Sequence, residues 1–166
     1  MGSELELREV TAGTRPVVER LWQLYRHDLS EFRDSQLDED GLFHTRGLEP
    51  FFRDDPDRRG YLFYRDSRPV GLALVAGVED EPRVLHEFFV VRRVRREGLG
   101  GAAIRELFRL HSGAWEIAFQ ENNTAAARFW RGIAAATAGD DWREERRPVP
   151  GKPHIPPDVW LVFDAG

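Results

Sequence analysis

The sequence predicts an α+β fold, with helices flanking a largely antiparallel sheet. Short apolar or alternating segments, typical of strands, occur near both ends of the 166-residue chain and in its middle. Two of the middle segments are joined by Asp66–Arg68 alone, which is the spacing of a tight hairpin. Segments with apolar residues at helical spacing separate other strands. This mixture and order are typical of an α+β, or mixed α/β, domain.

The first half of the chain is predicted to contain two helices and three strands. Thr14 precedes Pro16, a pattern that resembles a helix N-cap with proline in the first turn. The acidic, irregular stretch after that helix is expected to be a loop. The predicted elements are a strand at Leu5–Val10, a helix from Thr14 to about His27 or Asp28, a short helix at Leu48–Arg53, and strands at Gly60–Arg65 and Pro69–Gly77.

The second half begins with a central strand that starts at Val84 and ends at Val90. A glycine-rich turn follows it and opens a helix with apolar residues at helical spacing up to Leu110. The remaining predicted elements are a strand at Ala114–Phe119, a helix beginning at Asn122–Thr124, a weaker strand within Thr137–Arg147, a proline-rich extended connection over residues 148–157 and a final strand at Val159–Phe163.

Composition excludes several classes of function. The net charge of −5 provides no general basic field for a nucleic acid, so no nucleic-acid partner is expected. The absence of cysteine rules out disulfides and thiolate metal ligands, and it fits a reducing compartment. The N-terminus is charged, and no apolar run approaches the ~20 residues of a membrane span. The expectation is one domain over residues 1–166, cytoplasmic and without a membrane partner.

The stretch Val84–Leu110 carries the clearest chemical signal. A strand, a cluster of four arginines and a glycine-rich turn lead directly into a helix. Glycines let backbone N–H groups approach an anion, and the start of a helix adds unpaired N–H groups with a partial positive charge. Arginines add forked donors and full charges. This stretch is therefore expected to bind a phosphate-bearing ligand.

Two phosphate-binding patterns fit the glycines. Gly98, Gly100 and Ala103 satisfy the G-x-G-x-x-A dinucleotide fingerprint, and Glu121 lies at a suitable distance to meet a ribose. That fingerprint, however, should begin where the strand ends, whereas residues 92–97 intervene here. The turn also follows a hairpin of antiparallel strands rather than the start of a βαβ repeat, so the dinucleotide interpretation is disfavoured.

The second pattern includes the arginines. Arg95-x-x-Gly98-x-Gly100, with Val90 five places before the arginine, resembles the acyl-coenzyme A loop of the GNAT superfamily of N-acetyltransferases. Downstream, Asn123-x-x-Ala126-x-x-Phe129-Trp130 is similar to the Asn…Ala…Phe-Tyr signature of the same superfamily. The two motifs stand in the expected order, and the order of elements agrees over nearly the whole chain.

The resemblance implies a GNAT-like, mostly antiparallel sheet of six to seven strands that splays around the coenzyme A loop. Acetyl-CoA would be the acyl donor, and its pyrophosphate would lie on backbone N–H groups at the start of the helix. The pantetheine arm would pair with the strand edge at Val90 and Val91. The expected coenzyme A residues are Val90, Val91, Arg95, Arg96, Gly98, Leu99, Gly100, Gly101, Asn123 and Phe129.

The reaction also needs a base, because only a neutral amine can attack the thioester. His86 and Glu87 are the candidates, since LHEFFV resembles the LEDFFV-type strand of polyamine acetyltransferases. Strand alternation predicts that their side chains lie on opposite faces, so that one of them meets the pocket. Trp130 replaces the tyrosine that usually protonates the departing thiolate, and an indole N–H cannot serve as that acid near neutral pH.

The sequence thus predicts an acetyl-CoA-dependent N-acetyltransferase that transfers the acetyl group directly to a primary amine, expected to be a small molecule. Tyr25 and Asp28 are expected to contact this acceptor. The alternatives are a protein lysine or N-terminal acetyltransferase and a non-catalytic acyl-CoA-binding module. No metal is expected, because the acidic run before Gly41 lacks a complete calcium-loop pattern. A monomer or a homodimer would fit equally.

Overall fold

A computed structural model describes residues 4–166, so the first three residues of the charged N-terminal segment lie outside the described part of the chain. The strands are β1 (Glu6–Glu9), β2 (Arg58–Arg65), β3 (Arg68–Ala76), β4 (Arg83–Val90), β5 (Ala114–Phe119), β6 (Trp142–Arg147) and β7 (Asp158–Asp164). The helices are α1 (Arg15–Leu29), α2 (Leu99–Leu110) and α3 (Thr124–Ala138), and short 3₁₀ helices cover Ala12–Thr14, Glu49–Phe51 and Arg92–Glu97.

The strands form a seven-stranded sheet in the order β1-β2-β3-β4-β5-β7-β6. Every neighbouring pair is antiparallel except β4 and β5, which are parallel. The parallel pair requires a crossover, and the arginine cluster and α2 supply it. The α+β class and the mostly antiparallel sheet with flanking helices are thus confirmed.

The sheet opens between its two central strands. β4 pairs with β5 only over Arg83–Leu85, whereas its pairing with β3 continues to Val90. The second half of β4 therefore has no strand partner on its β5 side within residues 4–166. This divergence is the splay that the sequence resemblance implied, and it exposes a strand edge beside the arginine cluster.

Two apolar clusters cover opposite faces of the sheet. One packs α2 and α3 against the sheet, with Trp115, Ile104 and Leu107 fully buried. The other packs α1 and the loop after it against the sheet, with Trp22 and Leu48 fully buried. Because α1 has its own face, its side chains can reach the splayed end of β4 from the side opposite α2.

Several element boundaries differ from the expectations. α1 extends to Leu29, and the expected helix at Leu48–Arg53 is only the 3₁₀ turn Glu49–Phe51. The weak strand begins at Trp142, because the alanine-rich α3 continues to Ala138 before Gly139 ends it with a positive φ. The hairpin is as predicted, with positive φ at Asp66 and Ser67. Within the described residues, no helix has the length and apolar character needed to cross a membrane.

Candidate functional site

The glycine-rich turn joins the arginine cluster to α2 at Gly98. This residue adopts φ +76°, a left-handed conformation that favours glycine, and it is the N-cap of α2. Ala102 N–H donates to the Gly98 carbonyl at 3.1 Å, which is the first hydrogen bond of the helix. The N–H groups of residues 99–101 have no acceptor within the helix. They form the positive end of the α2 dipole.

Gly100 permits a close approach between this turn and α3. A Cβ atom at Gly100 would lie 3.3 Å from Phe129 Cζ, tighter than an ordinary contact. Val94 and Leu99 on either side of the turn are buried in the core. Leu99 therefore anchors the turn with its side chain, while its backbone N–H belongs to the open first turn of α2.

Arg95 is held by contacts within the protein. Its Nε donates to the Val90 carbonyl at 2.7 Å, and its guanidinium pairs with Asp28. Arg92 pairs with the same carboxylate at 2.6 Å. Burial opposes ionisation of Asp28, but the hydrogen bonds from Arg95 and Arg92 lower its pKa overall. Asp28, expected to contact the acceptor, thus makes its observed bonds with the arginine cluster. Arg96 is exposed.

A β-bulge places both base candidates on one face of the sheet, and the predicted alternation is wrong at this point. Leu74 pairs with Glu87, but Val75 pairs with Leu85, so His86 is the extra residue. Glu87 accepts a hydrogen bond from the Tyr25 hydroxyl of α1. The His86 ring packs edge-on against the Phe51 ring, with 5.7 Å between the ring centroids. Tyr25 and Phe51 both belong to the cluster on the α1 face.

Glu87 is the more enclosed of the two. Burial raises the pKa of Glu87, and the Tyr25 hydroxyl and the charges of Arg33 and Arg26 oppose that rise only in part. The same burial, together with the Glu87 charge, raises the pKa of Tyr25 well above its ordinary value. Tyr25 is therefore a neutral donor that holds the carboxylate in place.

His86 has a different environment. It is exposed, and it makes no side-chain hydrogen bond with the described residues. Desolvation by neighbouring groups and the charge of Arg58 lower the pKa of His86, so its neutral form is favoured near neutral pH. A neutral imidazole at this position can accept a proton, but it has no partner that orients it.

Aromatic side chains line the α3 side of the opening. The Phe88 ring stacks with the Phe129 ring, with 6.1 Å between the ring centroids, and it makes an edge contact with Trp130 at a centroid distance of 5.1 Å. Trp130 is 7% exposed, so its indole is mainly part of the core. Asn123 caps α3, because its Oδ1 accepts from Ala126 N–H at 3.2 Å. The amide nitrogen of Asn123 donates to no acceptor within residues 4–166.

The structure adds one acidic residue that sequence reasoning missed. Asp158 begins β7 beside the end of β5, where Val159 pairs with Phe119. Its Oδ1 is buried without a hydrogen-bond partner among the described residues. Burial raises the pKa of Asp158, and the charge of Arg33 opposes that rise. The preceding prolines indicate an extended connection, but only strand pairing shows that this carboxylate comes to the splayed end of the sheet.

Comparison with protein-family models identifies the class. Residues 18–133 match the model for the acetyltransferase (GNAT) family. The match covers more than half of the chain and includes both the arginine–glycine loop and the Asn123 motif. The chain therefore belongs to the acetyltransferase (GNAT) family. A search of curated protein sequences gave no significant match.

Solved structures with this fold are similar along almost their whole length. An acetyltransferase from Thermus thermophilus is 20% identical with a TM-score of 0.70, and the alignment covers 99% of each chain. The ribosomal-protein-S18-alanine N-acetyltransferase from Escherichia coli is 11% identical with a TM-score of 0.64, covering 98% of this chain and 95% of that one. A GNAT family acetyltransferase from Elizabethkingia anophelis with acetyl-CoA bound is 12% identical with a TM-score of 0.63, covering 96% and 97%. At these identities the likeness establishes the fold.

Within residues 4–166, no group of three or more His, Asp or Glu side chains is arranged to hold a metal ion. The expectation that the reaction uses no metal remains a prediction.

Proposed function

We propose that this protein transfers an acetyl group from acetyl-CoA to a primary amine of a small molecule, with Glu87 as the general base. One observation carries the proposal: a half-buried carboxylate, held by Tyr25, lies on β4 where that strand leaves β5 and leads into the glycine turn. An acyl-donor site and a proton acceptor are thus adjacent on one strand.

The donor site would be built largely from backbone. Residues 99–101 offer N–H groups to the pyrophosphate, and Gly98 and Gly100 keep the approach clear. Arg95 and Arg96 would add positive charge. Val90 would offer its N–H on the open side of β4 to the pantetheine amides. The expected contribution of Val91 to this edge is not supported, because its N–H donates to the Val70 carbonyl of the neighbouring strand at 2.9 Å. The Asn123 amide nitrogen and the Phe129 ring would contact the same arm from α3.

The chemistry is a direct transfer. The neutral amine nitrogen attacks the thioester carbon, a C–N bond forms, and the C–S bond breaks to release the coenzyme A thiolate. Glu87 accepts the proton that the nitrogen loses, directly or through water. A backbone N–H near Val90 would stabilise the oxyanion. Solvent can protonate the thiolate, so the reaction does not need an acid at Trp130.

Replacement of Glu87 tests the base. We expect Glu87→Gln to reduce kcat/KM by about 10²-fold or more, because general-base catalysis contributes at least that much. Release of free thiol from acetyl-CoA with a panel of amines provides the measurement. His86→Gln is the matched control, from the adjacent position on the same bulge, and should change kcat/KM by less than about threefold. The reverse ranking of the two variants would assign the base to His86.

Replacement of Gly100 tests the donor site. Gly100→Val should weaken acetyl-CoA binding by about tenfold or more, because the added side chain displaces Phe129 and crowds the N–H groups at the start of α2. Calorimetric titration measures the effect, and Gly132→Ala, at an open position in α3, is the control. Unchanged affinity would reject the assignment of the glycine turn as the acetyl-CoA site.

Tight acetyl-CoA binding without turnover of any amine would favour a non-catalytic acyl-CoA-binding module. Turnover of proteins or peptides alone would favour a protein acetyltransferase.

A further inference from the structure

Two arginines near Glu87 have no part in the proposed proton transfer. Arg26 follows Tyr25 in α1, and one of its terminal nitrogens donates to Ser35 Oγ at 2.9 Å. Its Nε is buried and has no hydrogen-bond partner within the described residues. A buried donor without an acceptor costs free energy, and a bound ligand that supplies an acceptor recovers that cost.

Arg33 lies just beyond α1 in a turn that reaches across the opening. The turn is fixed by two hydrogen bonds to the Leu29 carbonyl, from Phe32 N–H at 2.9 Å and Arg33 N–H at 3.0 Å. On the β5 side of the opening, the side-chain amide of Asn122 donates to the Phe32 carbonyl at 3.4 Å. The Arg33 guanidinium is exposed and forms no ion pair or hydrogen bond with residues 4–166.

The Asn122–Phe32 hydrogen bond places the turn that carries Arg33 beside the chain that leaves β5. The positive charge of Arg33 opposes the burial-driven rise in the pKa of Glu87 on β4 and in the pKa of Asp158 on β7. Both carboxylates are therefore within electrostatic range of the same guanidinium. The opening thus combines two carboxylates, one of them with a buried unpartnered oxygen, and two arginines with unused donors.

We propose that Arg33, assisted by Arg26, binds a carboxylate on the acceptor, so that the substrate is an amino acid or a close analogue with its amine a few bonds from a carboxylate. The planar guanidinium matches a carboxylate with two parallel hydrogen bonds. The amine would lie between Glu87 and Asp158. A polyamine fits less well, because its additional positive charges would face two arginines. This inference rests on the proposed acetyl transfer and specifies its substrate class.

The test compares acceptors with and without the carboxylate. Amino acids with the amine α, β or γ to the carboxyl group are each paired with their carboxamide, and thiol release from acetyl-CoA is measured. For at least one pair, the wild-type protein should show a KM about tenfold or more lower for the acid, as expected for a hydrogen-bonded charge pair. In Arg33→Gln this preference, taken as the ratio of the two KM values in the same variant so that any change at Glu87 affects both acceptors alike, should fall to within about twofold. Arg33→Lys, which keeps the charge but loses the fork, should be intermediate.

Arg20→Gln, an exposed arginine on α1, is the matched control and should keep the full preference. Binding of the same pairs to the protein saturated with coenzyme A, followed by calorimetry, provides a readout independent of turnover. Equal KM and equal affinity for acids and carboxamides would overturn the carboxylate subsite while leaving acetyl transfer intact. Absence of turnover with every amine would overturn the proposed function, and a tenfold binding preference that Arg33→Gln removes would still support the subsite.

Discussion

The ionisation of Glu87 is governed by burial and adjusted by one hydrogen bond from Tyr25. Removing a carboxylate from water raises its pKa, and a donor hydroxyl partly reverses the effect. Tyr25 supplies that hydroxyl from a separate element, α1, to a residue on β4. The carboxylate is therefore enclosed enough to be a stronger base than a free glutamate, and it still has a partner that orients it.

This pairing predicts the pH dependence of the reaction. The pKa of Glu87 lies above its ordinary value. On the acid side of the pH profile, the decrease in kcat/KM (the acid limb) should therefore have its midpoint above the ordinary pKa of a glutamate. Tyr25→Phe removes a contact that lowers this pKa, so the limb should move to still higher pH, and kcat/KM at the pH of the wild-type midpoint should drop about two- to tenfold. Rate profiles over roughly pH 4–9 provide the measurement. A limb that moves to lower pH would contradict the assignment.

At the scale of elements, β3 controls the position of the splayed strand. A Cβ atom at Gly71 would lie 2.3 Å from the Phe89 carbonyl and 2.7 Å from a ring carbon of Phe63. Gly71 pairs with Val90, where β4 reaches the arginine cluster. The missing side chain therefore lets β4 remain paired with β3 after it has separated from β5.

We expect Gly71→Ala to lower the free energy of unfolding by about 2–4 kcal/mol, because backbone as well as side chain must move to admit the methyl group. Gly132→Ala provides the contrast. It lies in the interior of α3 with open space around it, so it should raise the free energy of unfolding by up to about 1 kcal/mol. Urea denaturation of the three proteins measures both changes, and equal effects of the two substitutions would refute this account of Gly71.

At the scale of the whole molecule, Asp28 connects α1 to the arginine cluster. It pairs with Arg92 and Arg95, which lie between β4 and the glycine turn. The same helix carries Tyr25 to Glu87. The candidate acceptor and donor sites are therefore linked through α1, and the Asp28 charge partly offsets the positive potential of the donor site.

Neutralising Asp28 should strengthen coenzyme A binding. Asp28→Asn leaves two arginine charges uncompensated near the proposed pyrophosphate site, so affinity should rise about threefold at low ionic strength and return toward wild type in about 0.5 M salt. Both arginines are exposed and Asp28 is half-buried, so the loss of unfolding free energy should not exceed about 1 kcal/mol. Calorimetric titration at two salt concentrations tests both points. Weaker binding by Asp28→Asn would mean that Asp28 instead orients Arg95 for the phosphate.

The sequence by itself determined the class of fold, most of the elements and the family. Local patterns carry this information: period-two and helical spacing, the Asp66–Arg68 hairpin, and two motifs that stand in the expected order around α2 and β5. Gly98 is a clear case, since a glycine between a basic segment and a helix is required by local backbone geometry alone.

Only the tertiary structure decided which side chains meet. The bulge at His86 turns both base candidates toward α1, and it depends on the register with β3 rather than on the β4 residues alone. Asp158, distant in sequence from Glu87, reaches the same opening because β7 pairs beside β5. Asp28 bonds with arginines that stand 64 and 67 residues further along the chain. Local patterning specifies elements, whereas register and pairing across the sheet determine the site, because those contacts join residues remote in the chain.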